Sequence, residues 1–236
     1  MLIISIVMQV FWGDEMALDR IHLRKLLAIM FLNANKQRAY ILEDIRDEKA
    51  RDEGRASSGG DFYAPFWSDA RSHVFGSADL HQMVNERIAA NYRRRNLYPL
   101  LRDGFLTWWS NRRRWTNEPF RPGPTLKSQF FFPSLSATVK VENFLSVRDG
   151  LNAEYAVYPY FSPDPVLNDE AARLGLWLIT MAMPSVPSDQ IRILDVIRGQ
   201  SFSLDRYPLN GNEGAMFSLR YERLLEYRMR LSAERD

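Results

Sequence analysis

The chain has 236 residues, 46% hydrophobic and 25% charged, with a formal net charge of +2, enough apolar material for one large domain or a domain with an appendage. It contains no cysteine, which excludes disulfide frameworks, thiolate metal sites and cysteine nucleophiles and fits the expected location, a reducing cytoplasm. Arginine outnumbers lysine 26 to 5, and charge is unevenly placed: residues 1–70 carry about −2, residues 71–127 about +7 and the remainder about −3.

Met1 to Phe11 reads MLIISIVMQVF. It lacks a basic leader and a small-residue cleavage site, and it falls short of the roughly 20 apolar residues that a bilayer requires. We expect a buried edge strand, or an upstream extension with Met16 as the true start, with docking onto a membrane or partner as the alternative; no transmembrane span is expected. From Ala17, Leu18, Ile21, Leu26, Ile29, Met30 and Leu32 recur at three- and four-residue steps, then Ile41, Leu42 and Ile45, predicting helix with one broad apolar face. Glu43 to Arg55 alternates acids and bases, as a solvated helical end does. Gly54, Ser57, Ser58, Gly59 and Gly60 break the pattern. The expected organisation is an apolar N-terminus and helical arm over 1–53, a flexible linker over 54–61 and a main domain over 62–236. That domain divides into a basic helical part, 62–128, and a hairpin-helix-strand-helix part, 129–236.

After an aromatic entry (Phe62, Tyr63, Phe66, Trp67), helix is predicted from Asp69 to Arg95, with Gly76 as a break. Pro99 suits the first turn of the next helix, where its missing N–H costs nothing. On that helix Arg102, Leu106, Trp109 and Arg113 form one row, and Leu101, Phe105, Trp108 and Arg112 the adjacent one. Two arginine triplets, Arg93–Arg95 and Arg112–Arg114, bracket it, and Trp115 follows. Planar guanidinium forks beside indole faces suit phosphates and stacked bases. Arg93, Arg94, Arg95, Arg102, Trp109, Arg112, Arg113, Arg114 and Trp115 are therefore the candidate nucleic-acid-binding residues. The competing expectation pairs these arginines with the acidic N-terminal arm or the C-terminal helix and puts tryptophan in the core.

Three prolines and Phe130–Phe132 suggest extended chain, and from Ala137 the period changes to two. Val139, Val141, Leu145 and Val147 alternate with polar residues up to Asp149-Gly150, a two-residue hairpin signal. That turn would set Leu145 opposite Glu154 and Asn143 opposite Ala156, placing Glu154 on an apolar face. Asp195 lies in an apolar run, Ile193–Ile197, predicted as a buried strand. Glu154 and Asp195 are the weak catalytic candidates, a pair that would share a metal ion. Asn168 is predicted to cap a buried helix ending at Pro184. A last helix, Glu213 to Arg235, is expected to turn Phe217, Tyr221, Leu224, Leu225 and Met229 inward.

The expected fold is thus α+β, a helical N-terminal arm and helices packed on a small sheet with an antiparallel hairpin at about 137–161. The order helix–hairpin–helix–strand–helix loosely resembles the core layout of PD-(D/E)xK nucleases. That family holds its metal with an Asp followed by an acid-x-Lys triplet. Here the second hairpin strand offers Tyr158-Pro159-Tyr160, and Lys140 is the only lysine after residue 127, so the resemblance implies at most a degenerate or divergent nuclease-like domain. The three histidines, His22, His73 and His81, match no metal spacing. No GxGxxG, Walker A or GxSxG motif occurs, and no cofactor is expected. The leading expectation is a non-catalytic nucleic-acid-binding or accessory protein. The alternative is an interaction subunit docking on a protein partner through the apolar N-terminus and the aromatic-arginine surface.

Overall fold

The computed structural model describes residues 17–54, 61–113 and 119–234, excepting the side chains of residues 51, 52, 112 and 113. Met1–Phe11, the linker residues 55–60, Arg114 and Trp115 lie outside the described residues. Strand β1 (Arg20–His22) leads into helices α1 (Leu23–Phe31) and α2 (Ala34–Asp52). Next come α3 (Ala64–Val74), α4 (Leu80–Ala90), a 3-10 turn (Tyr92–Asn96) and α5 (Tyr98–Arg113). Strands β2 (Arg121–Pro122), β3 (Ser128–Phe132), β4 (Ala137–Val141), β5 (Leu145–Arg148) and β6 (Glu154–Tyr160) follow. Helix α6 (Asp169–Ala182) crosses over to β7 (Ile191–Asp195) and β8 (Gln200–Phe202), and α7 is Glu213–Ala233. The fold is α+β. No helix among the described residues is long and apolar enough to cross a membrane.

A five-stranded sheet, order β2-β5-β6-β7-β8, is antiparallel except for the β6–β7 pair, which α6 joins. Its central strands β6 and β7 are covered on both faces. Ala156, Tyr158, Ile191 and Ile193 face a core shared with α1, α6 and α7, while Leu145, Val147, Val157 and Leu194 face a second core built on α3, α4 and α5. Burial on both sides explains why the adjacent residues Ile193 and Leu194 are both apolar. A smaller sheet, order β1-β4-β3, completes the first core.

Of the segment expected as an N-terminal arm, Leu18 to Met30 contributes to the core. β1 pairs parallel with β4, Ile21 opposite Val139, and α1 buries Leu23, Leu26, Leu27, Ile29 and Met30. Apolar residues occupy most of its circumference, and a helix of that kind has to be enclosed. Tyr221 Oη donates to the Leu18 carbonyl at 2.7 Å, and Tyr158 Oη accepts from the Arg24 N–H at 3.0 Å. Across the linker, Asp61 accepts from Arg24 Nη2 at 2.6 Å.

Residues 137–148 are not one strand. β4 belongs to the small sheet and β5 to the large one, and the chain changes sheets at Glu142–Phe144. Asn143 adopts φ +71, a left-handed conformation that asparagine tolerates better than most residues, and its carbonyl accepts from Trp67 Nε1 at 2.7 Å. Period-two alternation continues in phase across this corner, so the pattern hides it. The hairpin exists, but Leu145 pairs with Val157 and Arg148 with Glu154. Its loop is Asp149–Ala153, not a two-residue turn. Asp149 Oδ1 accepts from the Leu151 and Ala153 N–H groups, both at 2.9 Å, and Asn152 supplies a φ of +62.

The helix expected from Asp69 to Arg95 is divided into α3, α4 and the 3-10 turn. Gly76, at φ +71, ends the first, and the Leu80 N–H donates to His73 Nδ1 at 3.4 Å in the turn between them. Asn168 caps α6 as expected, accepting from the Ala171 N–H at 2.8 Å. On α7, Phe217, Tyr221, Leu224 and Leu231 are buried. Arg228 occupies the intervening place on that row and pairs with Asp44 and Glu48 of α2. Met229 is turned away and is 62% exposed, contrary to expectation.

Glu43, half-buried on α2, has its carboxyl pushed up to about 7, chiefly by burial. The folded state therefore holds this proton between the unfolded value near 4.5 and about 7. Its contribution to stability is complete below that window and is lost as pH rises through it. E43Q is expected to melt above the native protein on the alkaline side of the window and to lose that advantage below it, as melting temperature against pH will read.

Candidate nucleic-acid interface

The 3-10 turn and α5 carry the sequence-predicted surface. Asn91 opens the turn, its Oδ1 accepting from the Arg93 N–H at 3.1 Å, and Pro99 then starts α5. Because the two triplets flank this helix, a rise of about 1.5 Å per residue sets Arg95 and Arg112 about 25 Å apart. They do not form one compact patch. Arg112 and Arg113 end the helix with side chains outside the described residues, as are Arg114 and Trp115 entirely.

The eleven basic residues of 71–127 sort by environment. Arg87 is held by Asp69, at 2.9 and 3.0 Å, Arg102 by Asp103 at 2.8 Å and Lys127 by Glu142 at 3.0 Å. Arg94 lies over the Tyr98 ring at 5.2 Å and donates to the Arg87 carbonyl at 3.3 Å, so it works largely as packing. Arg93, Arg95 and Arg121 are exposed, and none has an ion pair among the described residues. Arg71, half-buried, has none either.

Trp109 is only 4% exposed and Trp108 9%. Trp109 packs on Phe120 at 5.0 Å and on Trp108 at 5.9 Å, so the expectation that Trp109 stacks on bases is corrected: its ring has no free face. Leu101, Phe105, Trp108 and Trp109 point inward because the helix is wedged between α3, α4 and the large sheet. Solvent instead meets Tyr92, which is 67% exposed and carries the Arg95 guanidinium 4.0 Å from its ring centre. Sequence reasoning passed over Tyr92. The signal was there: a lone aromatic directly before three arginines in a segment with no apolar period to bury it.

Among the described residues no acid is paired with Arg93 or Arg95 of this turn. Asp44 and Glu48 of α2 hold Arg228 of α7, Asp61 holds Arg24, and Glu170 holds Arg220. The pairing expected between the first triplet and the N-terminal or C-terminal acids is absent among the described residues for Arg93 and Arg95.

The metal alternative fails on geometry. Tyr160 pairs with Asp195 while Glu154 begins the same strand six residues earlier, a separation of about 20 Å at the rise of a β-strand. Glu154 accepts from Arg148 Nε at 2.7 Å. Asp195, 1% exposed, is pushed up by burial and held down by Arg198, whose Nη1 donates to it at 3.0 Å. No group of three or more His, Asp or Glu side chains among the described residues could hold a metal ion. The order antiparallel hairpin, crossover helix and parallel strand is realised in β5, β6, α6 and β7, without acids converging on it.

No family model, curated protein or solved structure gives a significant match to this chain.

Proposed function

We propose that the protein binds nucleic acid without catalysing a reaction, engaging the phosphate backbone through Arg93 and Arg95 and stacking an unpaired base on Tyr92. The observation that carries this reading is the Tyr92–Arg95 pair with Arg93 beside it. An aromatic side chain two-thirds exposed and two exposed guanidinium groups, free of carboxylates among the described residues, stand together on one short turn. Hydrating these groups costs nothing in isolation, but leaving a tyrosine ring in water forgoes burial worth about 2 kcal/mol. Stacking on a base recovers that contact, and every base offers a π-face, so the recognition tolerates sequence.

Single strands are the expected substrate class, since a duplex hides its base faces. Fluorescence anisotropy with labelled single- and double-stranded DNA and RNA tests this. Y92A is expected to weaken single-strand binding about tenfold, the usual loss for one stacked base, while leaving duplex binding little changed. Equal affinity of Y92A and the native protein for single strands would remove the stacking role.

A further inference from the structure

A groove of about 400 Å³ lies at the sheet-switching corner, between the C-terminal end of α3, the Pro122–Lys127 segment and Glu142–Ser146. Phe75, Leu126 and Phe144 give it apolar lining, and Thr125 and Ser146 add hydroxyls. The wall is narrow by construction: a Cβ on Gly123 would stand 2.3 Å from Ser146 Oγ, and the Gly123 N–H donates to the Ser146 carbonyl at 3.0 Å.

Arg71 projects into this groove half-buried. Its guanidinium has no hydrogen bond or ion pair among the described residues, and burial alone lowers its pKa. Three other arginines withdrawn from solvent have carboxylate partners: Arg24 has Asp61, Arg87 has Asp69 and Arg228 has Asp44. Glu142, the one acid lining the groove, is engaged by Lys127 at 3.0 Å and faces His22 at 3.5 Å. The carbonyls ending α3 offset about half a unit charge at most. A half-buried guanidinium beside apolar lining suits an anion that carries an apolar body.

We infer that this groove binds a small organic monoanion, a carboxylate on an apolar or aromatic body, with Arg71 as its counter-ion. A planar carboxylate accepts the guanidinium fork through two parallel hydrogen bonds. The body rests on Phe75, Leu126 and Phe144, and the volume suits a ligand of that size. A single guanidinium matches one negative charge; a phosphate dianion asks for a second cation, and Lys127 is already paired.

Thermal-shift and calorimetric titrations of the full chain test this with acetate, hexanoate, benzoate, 3-phenylpropionate and the neutral 3-phenylpropanamide. Affinity is expected to rise with the apolar body, and 3-phenylpropionate to bind at least roughly tenfold tighter than its amide, as a charge-assisted pair requires. R71Q should abolish that preference, whereas R71K retains part of it and R93A/R95A all of it. The acid-to-amide comparison is made on the native protein, so it stands even if R71Q misfolds. Equal binding of acid and amide, no binding by any probe at about 5 mM, or unchanged binding by a folded R71Q overturns the inference. Inorganic phosphate competing as well as 3-phenylpropionate also overturns it.

Discussion

Gly104→Ala should lower the stability of the protein by about 3 kcal/mol or more, although alanine is the better helix former by about 1 kcal/mol. Gly104 sits mid-way along α5, where glycine is otherwise unfavourable. A Cβ built there lies 2.2 Å from the carbonyl oxygens of both Val196 and Ile197. These atoms belong to the backbone of the β7–β8 turn and cannot rotate away as a side chain can. Facing them, Gly199 at φ +62 would set a Cβ 2.7 Å from the Gly104 carbonyl oxygen, so helix and turn touch backbone to backbone. Relief requires lifting α5 from the large sheet, which loosens the packing of Phe105, Trp108 and Trp109. Chemical denaturation of G104A reads the change directly. A stabilised G104A would mean that propensity decides and the close approach does not.

Asp195→Ala is expected to cost about 3 kcal/mol, the low end for removing one partner of a buried ion pair, since Arg198 retains some solvent contact. At this chain length that corresponds to a fall in melting temperature of about 6–12 °C. Besides the carboxylate, Arg198 donates to the Ser162 carbonyl at 3.2 Å and the Pro163 carbonyl at 2.7 Å. The pair thus ties the end of β7 to the loop that follows β6. D195N, which keeps an acceptor in place, should lose less. If D195A melts with the native protein, Asp195 has no structural role and its burial needs another explanation.

Much of the fold was legible because local chemistry and tertiary structure agree. Asn168 before two acids and an apolar body gives α6, and Pro99 opens α5. Ile193 and Leu194 read as strand because both faces of β7 are covered, but the strand ends at Asp195 and Val196–Ile197 begin the turn to β8. The errors have a common origin: period reports which way a residue points, not what it meets. Val141 and Leu145 share a phase, so nothing in the spacing shows that Asn143 turns the chain into a second sheet. Asp149-Gly150 promised a two-residue turn, but the Asp149 carboxylate organises a five-residue loop and shifts the register, carrying Glu154 away from the positions assumed for it. The candidate site was half legible. The first arginine triplet stands out in composition, and the structure leaves Arg93 and Arg95 exposed. That Arg94 packs on Tyr98, that Trp109 is enclosed and that Tyr92 faces water depends on how α3, α4 and α5 assemble, which no local pattern encodes.

The most direct test of the central claim is the salt dependence of single-strand binding by the native protein, R93A/R95A and the control R148A, whose arginine is paired with Glu154 on the hairpin. Between about 50 and 200 mM salt the native affinity should fall steeply, because each neutralised phosphate releases condensed counterions. Two lost contacts should reduce the logarithmic slope by about 1.4 in R93A/R95A, with R148A matching the native protein. One shared slope for all three proteins, or no binding at the lower salt, would contradict nucleic-acid binding through the Tyr92–Asn96 turn.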